Sequence, residues 1–258
     1  MIGCIIQARM GSSRLPGKTM LKIDGQNPLL YYVIKQIQFS KFIDKIVVAT
    51  TELPEDDIIF NFVKSLGIEC FRGSEKDVLD RHYQCAKKYS FSIIVRIPSD
   101  KPLIDPQIID LVIDKFKQNS FDYVTNFLPY TFPYGTEVEV LSYTALEKTW
   151  NKAQLPSERE HVTPYIYTHK EEFQIFNVEN SENLSVYRWE VDRKNDLKLV
   201  KLIISKIRKQ PILMKDILDL FSREPDLIKI NKDHVHDEGY RKSLKEDKEF
   251  LKSDRKIS

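Results

Sequence analysis

No apolar run in this chain approaches the length of a membrane span, so membrane insertion is not expected. Net charge is almost absent: 40 Lys and Arg stand against 38 Asp and Glu, a formal +2. That balance gives no global reason to expect nucleic-acid or membrane-surface binding, and any polyanion site has to be local. Cysteine is scarce. The three present, Cys4, Cys70 and Cys85, make an odd number with no Cys-x-x-Cys spacing, which points to buried thiols in a reducing, cytoplasmic compartment. No secretory signal is read at the start, where Met1-Ile2-Gly3-Cys4 leads directly into a strand-like run.

What is present is an ordinary globular composition, 41% hydrophobic and 30% charged over 258 residues, enough for one large α/β core without disulfides or a structural metal. Short apolar runs rich in β-branched residues recur at 2–8, 46–50, 68–71, 92–97 and 121–125, and helical spacing recurs between them at 28–39, 54–66, 75–89 and 105–118. Strands too apolar to have a wet face, alternating with helices, predict a mainly parallel sheet in a three-layer α/β/α, Rossmann-like arrangement. From about 127 the pattern changes: TEVEVLS at 136–142 alternates as an antiparallel strand does, helices are expected at 142–152 and 157–171, strands at 173–178 and 186–191, and helices at 194–207 and 214–222. The expected organisation is a domain over 1–222, with an acceptor-binding and dimerisation excursion at 127–190. A charge-dense, loosely attached tail is expected over 223–258. His234 and His236 in that tail lack the further ligands a transition metal needs.

In a parallel sheet, ligands sit beyond the carboxyl ends of the strands, and two loops fall there. The first, RMGSSRLPGKT at 9–19, is a near-miss phosphate loop: five residues, not four, separate Gly11 from Gly17, and Pro16 removes one backbone donor. It still carries the chemistry of anion binding, with glycines for a tight path and Arg9, Arg14 and Lys18 as three cations without an intervening acid. The second, IPSDKPLIDP at 97–106, offers Asp100 as a carboxylate at the ligand edge and Asp105 as a helix N-cap. Later, RWEVDRKNDL at 188–197 places Asp192 at the end of an extended run and Asp196 in the first turn of a helix.

ARMGSSRLPGKTM resembles the opening of the cytidylyltransferases that activate acidic sugars, the acylneuraminate and 3-deoxy-manno-octulosonate enzymes, and is most similar to the spore-coat polysaccharide biosynthesis group. The resemblance extends over about 2–200 and implies a nucleotidyltransferase of the GT-A-like fold. It implies that Ala8, Arg9, Gly11, Ser12, Ser13, Arg14, Lys18 and Ser99 surround the triphosphate of CTP, with Arg14 and Lys18 on the phosphates. The Asp-x-Pro-Leu-Ile and late Val-Asp segments imply that Asp100 and Asp192 hold Mg²⁺. CFRGSEKDVLDRHYQ at 70–84 implies that Arg72 contacts the nucleotide; Asp77 and Arg81 either pair along the helix or belong to the group's motif, and His82 is structural. The resemblance of PYGTEVEVLS and SEREHVTPYIYTH to family segments implies that Tyr134, Glu137, Glu139, Glu160 and His161 lie on the acceptor side; Glu137 stands where the family has aspartate, Glu137 and Glu139 either recognise a hydroxyl or amine or form a solvated face, and Glu160 and His161 either contact the acceptor or support the site. Arg188 is either a phosphate or substrate contact or a surface arginine.

The implied activity is CTP-dependent formation of a CMP-linked acidic sugar, or a similar anionic small molecule, with release of pyrophosphate, in surface polysaccharide biosynthesis. Arg14, Lys18, Asp100 and Asp192 would carry the chemistry, Mg²⁺ would be the cofactor, and two copies would form a homodimer. The alternative is a GT-A-type glycosyltransferase using a nucleotide-sugar donor; its usual Asp-x-Asp is replaced here by Ser99-Asp100-Lys101.

Overall fold

The computed structural model describes residues 1–232 and 238–254. Among these, seven strands form one mixed sheet in the order β3-β2-β1-β4-β6-β5-β7: β1 (Ile2–Gln7), β2 (Lys45–Thr51), β3 (Glu69–Gly73), β4 (Ile93–Pro98), β5 (Tyr123–Thr125), β6 (Glu139–Ser142) and β7 (Ile175–Asn177). All neighbouring pairs are parallel except those made by β6, which runs antiparallel to both β4 and β5. The expected mostly parallel α/β/α fold with a small antiparallel excursion is therefore what the chain adopts.

Side chains alternate across the sheet and build a core on each face. Cys4 and Ile6 of β1 join one core, with residues of α1 (Leu29–Ile37), α2 (Asp57–Ser65), α4 (Pro106–Gln118), α8 (Lys194–Lys206) and α9 (Met214–Arg223). Ile5 joins the other, with α3 (Val78–Lys88), α5 (Tyr143–Lys152) and α7 (Pro164–Thr168). Strands buried on both faces carry no polar alternation, which is why β1, β2 and β4 read as continuous apolar runs. The three cysteines are buried free thiols, and no helix among the described residues is long and apolar enough to cross a membrane.

Three expectations are corrected. The helix expected at 157–171 is divided into α6 (Pro156–His161) and α7, because Val162 turns to φ 74° and Pro164 begins a new first turn. No strand forms at 186–191. The backbone there is consumed by loops instead of a sheet edge: Trp189 donates to the Tyr134 carbonyl, Val191 donates to the Asp100 carbonyl, and Tyr134 donates to the Tyr187 carbonyl, each at 2.9 Å. Beyond Arg223, the described residues 224–232 and 238–254 include segments packed onto the body of the fold. Leu227 is buried against the first core, and α10 (Glu238–Asp254) docks across α6, where Asp247 caps the Ser157 amide at 2.8 Å and Ser243 meets His161 at 3.0 Å. Ser243 and Asp247 lie on one helical stripe and both are buried. A stripe anchored by polar residues leaves no apolar period to read. His234 and His236 lie outside the described residues.

The crossing of 187–191 over 133–136 requires Gly135. Its φ is 102°, and a Cβ there would stand 2.7 Å from the Glu190 nitrogen and 3.0 Å from the Trp189 backbone. We predict that Gly135→Ala lowers unfolding free energy by about 2 kcal/mol or more, since both the dihedral and the close approach are violated. Urea denaturation measures this, and a loss under about 0.5 kcal/mol, the scale of a neutral surface change, would show that the crossing does not constrain the fold.

Candidate functional site

The loop after β1 is held from inside. Leu15 is buried, Gly17 takes φ 66°, and the Ser12 and Gly17 amides both donate to the Met10 carbonyl, at 2.9 and 3.0 Å. The Met10 amide is in turn accepted by Asp56 at 2.6 Å. With the Leu15 amide on the Ser12 hydroxyl (3.4 Å) and the Lys18 amide on the Leu15 carbonyl (3.1 Å), four of the loop's amides serve the loop itself, and Arg9, Arg14 and Lys18 supply its positive charge. Thr19 bridges from the Arg9 carbonyl (3.2 Å) to the Ser99 hydroxyl (3.3 Å), which joins this loop to the one after β4.

The two loops open onto a cavity of about 840 Å³ at the carboxyl edge of the sheet. Ala8, Arg9, Gly11, Ser12, Ser13, Arg14 and Lys18 line it from the first loop, and Ser99 and Asp100 from the second. Tyr134, Glu137, Glu139, Glu160, His161, Arg188 and Asp192 line it from the later segments. Arg72 does not. Its guanidinium folds back over β2, donating to the Thr51 carbonyl (2.9 Å), the Leu53 carbonyl (3.0 Å) and Asp57 (2.6 Å), with Phe60 beneath it. Those bonds brace the start of α2 and turn Arg72 away from the cavity.

Asp100 and Asp192, 92 positions apart in sequence, meet at one point. Together with Glu190 they offer carboxylate oxygens within 4.8 Å of one another. The Val191–Asp100 backbone bond brings them together, and Asp196 fixes the end of the extended run by accepting the Asp192 and Arg193 amides at 3.0 and 2.8 Å. Lys18 reaches between the aspartates, 2.8 Å from Asp100 and 2.9 Å from Asp192, while Arg14 binds Asp192 at 2.6 Å. Arg188 is buried under Asp192 at 2.8 Å. Burial by itself would raise the Asp192 pKa, but Lys18 and Arg14 hold this carboxyl well below its ordinary range. Burial, then the Asp100 and Asp192 charges, push Glu190 the other way, up to about 8. The Asp100 Oδ1 atom is buried and has no hydrogen-bond partner. An oxygen-only cluster of three carboxyl groups with an unsatisfied ligand atom fits a hard divalent cation.

The acceptor-side residues divide by how their polar atoms are used. Glu139 is saturated by the protein: Arg96 binds one oxygen, and Tyr123 (2.8 Å) and Thr163 (2.5 Å) bind the other. Glu137 is held through Oε2 by Lys101 (2.8 Å) and the Gly135 amide (2.9 Å), while its buried Oε1 has no partner. Beside it, Tyr130 and Tyr134 stack at 4.3 Å as a flat apolar wall. Glu160 pairs with Arg9 at 2.6 Å. His161 bonds Ser243 and stands edge-on to Tyr240; burial, then Arg96, push its pKa down to about 4, so the ring is neutral at ordinary pH.

Glu190, Lys101 and the residues of α10 escaped the sequence reading, and Arg81 was left open between a helical pair and the group's motif. Glu190 sits two residues from both Arg188 and Asp192, and that i, i+2 alternation in RWEVD was the available signal. Arg81 does not pair with Asp77, which instead caps α3 and binds Arg159 at 2.5 Å. Arg81 is buried, lines the cavity and donates to the Ser74 carbonyl at 2.5 Å; burial, then Arg9, lower its pKa to about 10. Lys101 pairs with Glu137 across 36 positions, and α10 adds Glu238, Tyr240 and Ser243 to the cavity wall; no local pattern announces either.

A basic loop and a carboxylate cluster at the carboxyl edge of a parallel sheet have the chemistry that suits a polyanion and a cation, as nucleotide-transferring enzymes require. The Cytidylyltransferase family model matches residues 3–249, and the chain belongs to the cytidylyltransferase family, a class of enzymes. It is 39% identical over 239 residues to an uncharacterised protein of Methanocaldococcus jannaschii, covering 92% of this chain and 96% of that one. It is 33% identical to the spore coat polysaccharide biosynthesis protein SpsF of Bacillus subtilis, over 86% of this chain and 94% of that one. A solved cytidylyltransferase from Leptospira borgpetersenii superposes with a TM-score of 0.86 at 37% identity, over 91% of this chain and 99% of that one. The CMP:2-keto-3-deoxy-manno-octonic acid synthetase complexed with CTP shares the fold, with a TM-score of 0.61 at 17% identity over 80% of this chain and 98% of that one.

His82 is buried with Nδ1 against the Val78 carbonyl at 2.8 Å, and burial, then Arg96, hold its pKa well below the ordinary value. The folded imidazole is neutral, whereas in the unfolded chain it takes a proton below about pH 6.5. Its contribution to stability is therefore complete above that pH and is lost as pH falls toward the folded value. We predict that the stability advantage of the wild type over His82→Gln shrinks by about 1.4 kcal/mol between pH 7.5 and 5.5, read from urea midpoints at each pH. A gap that stays constant would mean that the His82 pKa is the same in the folded and unfolded chain.

Proposed function

We propose that this protein transfers the cytidylyl group of CTP to an acidic sugar or a similar anionic small molecule, giving a CMP-linked product and pyrophosphate, in a Mg²⁺-dependent reaction. The product would serve surface polysaccharide biosynthesis, and the protein would act in the cytoplasm as a homodimer. The observation that carries the reading is the convergence of Arg14, Lys18, Asp100 and Asp192 at 2.6–2.9 Å on one wall of a single cavity. The SpsF relative, named for polysaccharide biosynthesis, supports the physiological direction.

In this reading Arg14 takes the triphosphate oxygens as a fork and Lys18 as a point charge. Asp100 and Asp192, with Glu190 beside them, would hold Mg²⁺, which neutralises charge on the phosphate oxygens when bound. The acceptor lies between the Tyr130–Tyr134 wall and Glu137, whose unpartnered Oε1 accepts a hydrogen bond from a hydroxyl or amine of it. Arg188, fixed by Asp192 and Glu190, faces the same space and suits an acceptor anion. Glu139 holds Arg96, Tyr123 and Thr163 in place and acts through them. The work done by these residues is positioning and charge complementarity, the main source of rate in phosphoryl chemistry.

Screening the four nucleoside triphosphates against acidic sugars and phosphonates, with pyrophosphate as the readout, tests the reaction; no release from CTP with any acceptor would remove this assignment. Asp100→Ala and Asp192→Ala are each expected to fold and to lose Mg²⁺-dependent turnover by at least about 100-fold, the scale of groups that stabilise developing charge. Lys18→Ala is expected to weaken CTP binding by at least about tenfold, roughly 1.4 kcal/mol, and acceptor binding much less. Calorimetric titration reads both, and equal CTP affinities would contradict the role given to Lys18.

A further inference from the structure

Asp192 is engaged on both oxygens by the protein's own cations. Arg14 (2.6 Å) and Lys18 (2.9 Å) donate to Oδ1, and Arg188 (2.8 Å) donates to Oδ2. Lys18 spends its other donors on Asp100 Oδ2 (2.8 Å) and the Val191 carbonyl (2.9 Å). The carboxyl groups of Asp100, Glu190 and Asp192 thus face the cations of Arg14, Lys18 and Arg188, and their negative charge does not exceed the positive charge around them. A bare divalent ion meets no net attraction there, and it meets direct repulsion from an ammonium group already seated on two of its ligands.

The cations are not equally fixed. Arg188 is 7% exposed, with Asp196 3.6 Å from its Nε and its carbonyl bound by Asn231. Lys18 and Arg14 project from the cavity face of the 9–19 loop, whose path is fixed separately through Met10, Gly17 and Asp56. A lysine on a four-carbon stem can therefore change partners without remodelling its loop.

We infer that Lys18 is the exchangeable counter-cation of this carboxylate cluster. It leaves the aspartates for the incoming triphosphate, so the divalent ion binds together with the nucleotide or after it, and not before. Arriving phosphates draw Lys18 and Arg14 toward themselves and at the same time reverse the local charge balance in favour of a cation. The aspartates are kept paired while the site waits, which avoids the cost of adjacent buried carboxylates facing one another alone. This inference rests on the reading of Asp100 and Asp192 as magnesium ligands.

Mn²⁺ binding to the full chain, followed by electron paramagnetic resonance without nucleotide, tests it independently of turnover. Removing the ammonium in Lys18→Met is expected to raise nucleotide-free Mn²⁺ affinity by at least about tenfold, given the size of charge–charge terms at this range. Arg14→Met, at a partly exposed side chain, is expected to raise it by less. Adding Asp100→Asn to Lys18→Met should remove the gain, which places the ion. In the wild type, a non-hydrolysable CTP analogue should raise Mn²⁺ retention, and Asp100→Asn should abolish that rise. Nucleotide-free affinities that are unchanged or lower in both single variants overturn the inference. If Asp100→Asn also leaves the nucleotide-dependent binding untouched, the magnesium reading itself fails, so the two failures are separable.

Discussion

Asp192 is the point on which the site is assembled. A carboxylate with little access to solvent has to be paired, and this one is paired by residues from two distant parts of the chain: Arg14 and Lys18 from the first loop, and Arg188 from its own extended run. Through Lys18 the same network takes in Asp100 from the loop after β4. The first turn of α8 closes it from behind, with Asp196 accepting the Asp192 amide. Loops that diverge from different strands are thereby drawn into one wall, at separations of hydrogen-bond length.

The sheet makes that convergence possible. β1 and β4 are parallel neighbours, so the loops that leave their carboxyl ends lie side by side. β6 runs the other way between β4 and β5, so its amino end and the segment entering it lie at the same edge and deliver Glu139 and Glu137. The 187–191 run then crosses 133–136 by backbone bonds, at a distance set by the absence of a side chain at Gly135. α10 completes the wall through Ser243 and His161.

The cavity is chemically divided. Arg9, Arg14, Lys18 and Arg81 gather at the 9–19 loop, most of them paired with carboxylates, while the Tyr130–Tyr134 stack and Glu137 form a flatter, acid-edged region. This division gives the proposed reaction two unlike binding regions, one suited to a polyanion and one to a smaller polyol or acid. In the proposed reaction the first region would take the nucleotide and the second the acceptor; in the second, Lys101, Glu137 and Arg188 set the polarity.

The local signals were strong wherever burial on both faces or a turn dictated residue type. β1, β2 and β4 were legible as apolar runs, Asp105 as an N-cap, and the Gly11–Gly17 loop as a basic bend, because each is decided within a few residues. Asp100 and Asp192 were legible through the resemblance of their short motifs. What depended on distant partners was not. Arg72 carried the right charge after the right strand, yet the carbonyls of Thr51 and Leu53 captured it. Arg81 lost its helical partner to Arg159 and so became a buried guanidinium on the cavity. The 186–191 run had the composition of a strand but gave its amides to loops, and α10 was hidden because its buried stripe is anchored by a serine and an aspartate. By itself the sequence determined the strand order of chemistry along the chain and the ligand edge. Only tertiary structure decided which charges meet, because hydrogen-bond partners tens of residues away, not local propensity, choose where a long side chain ends.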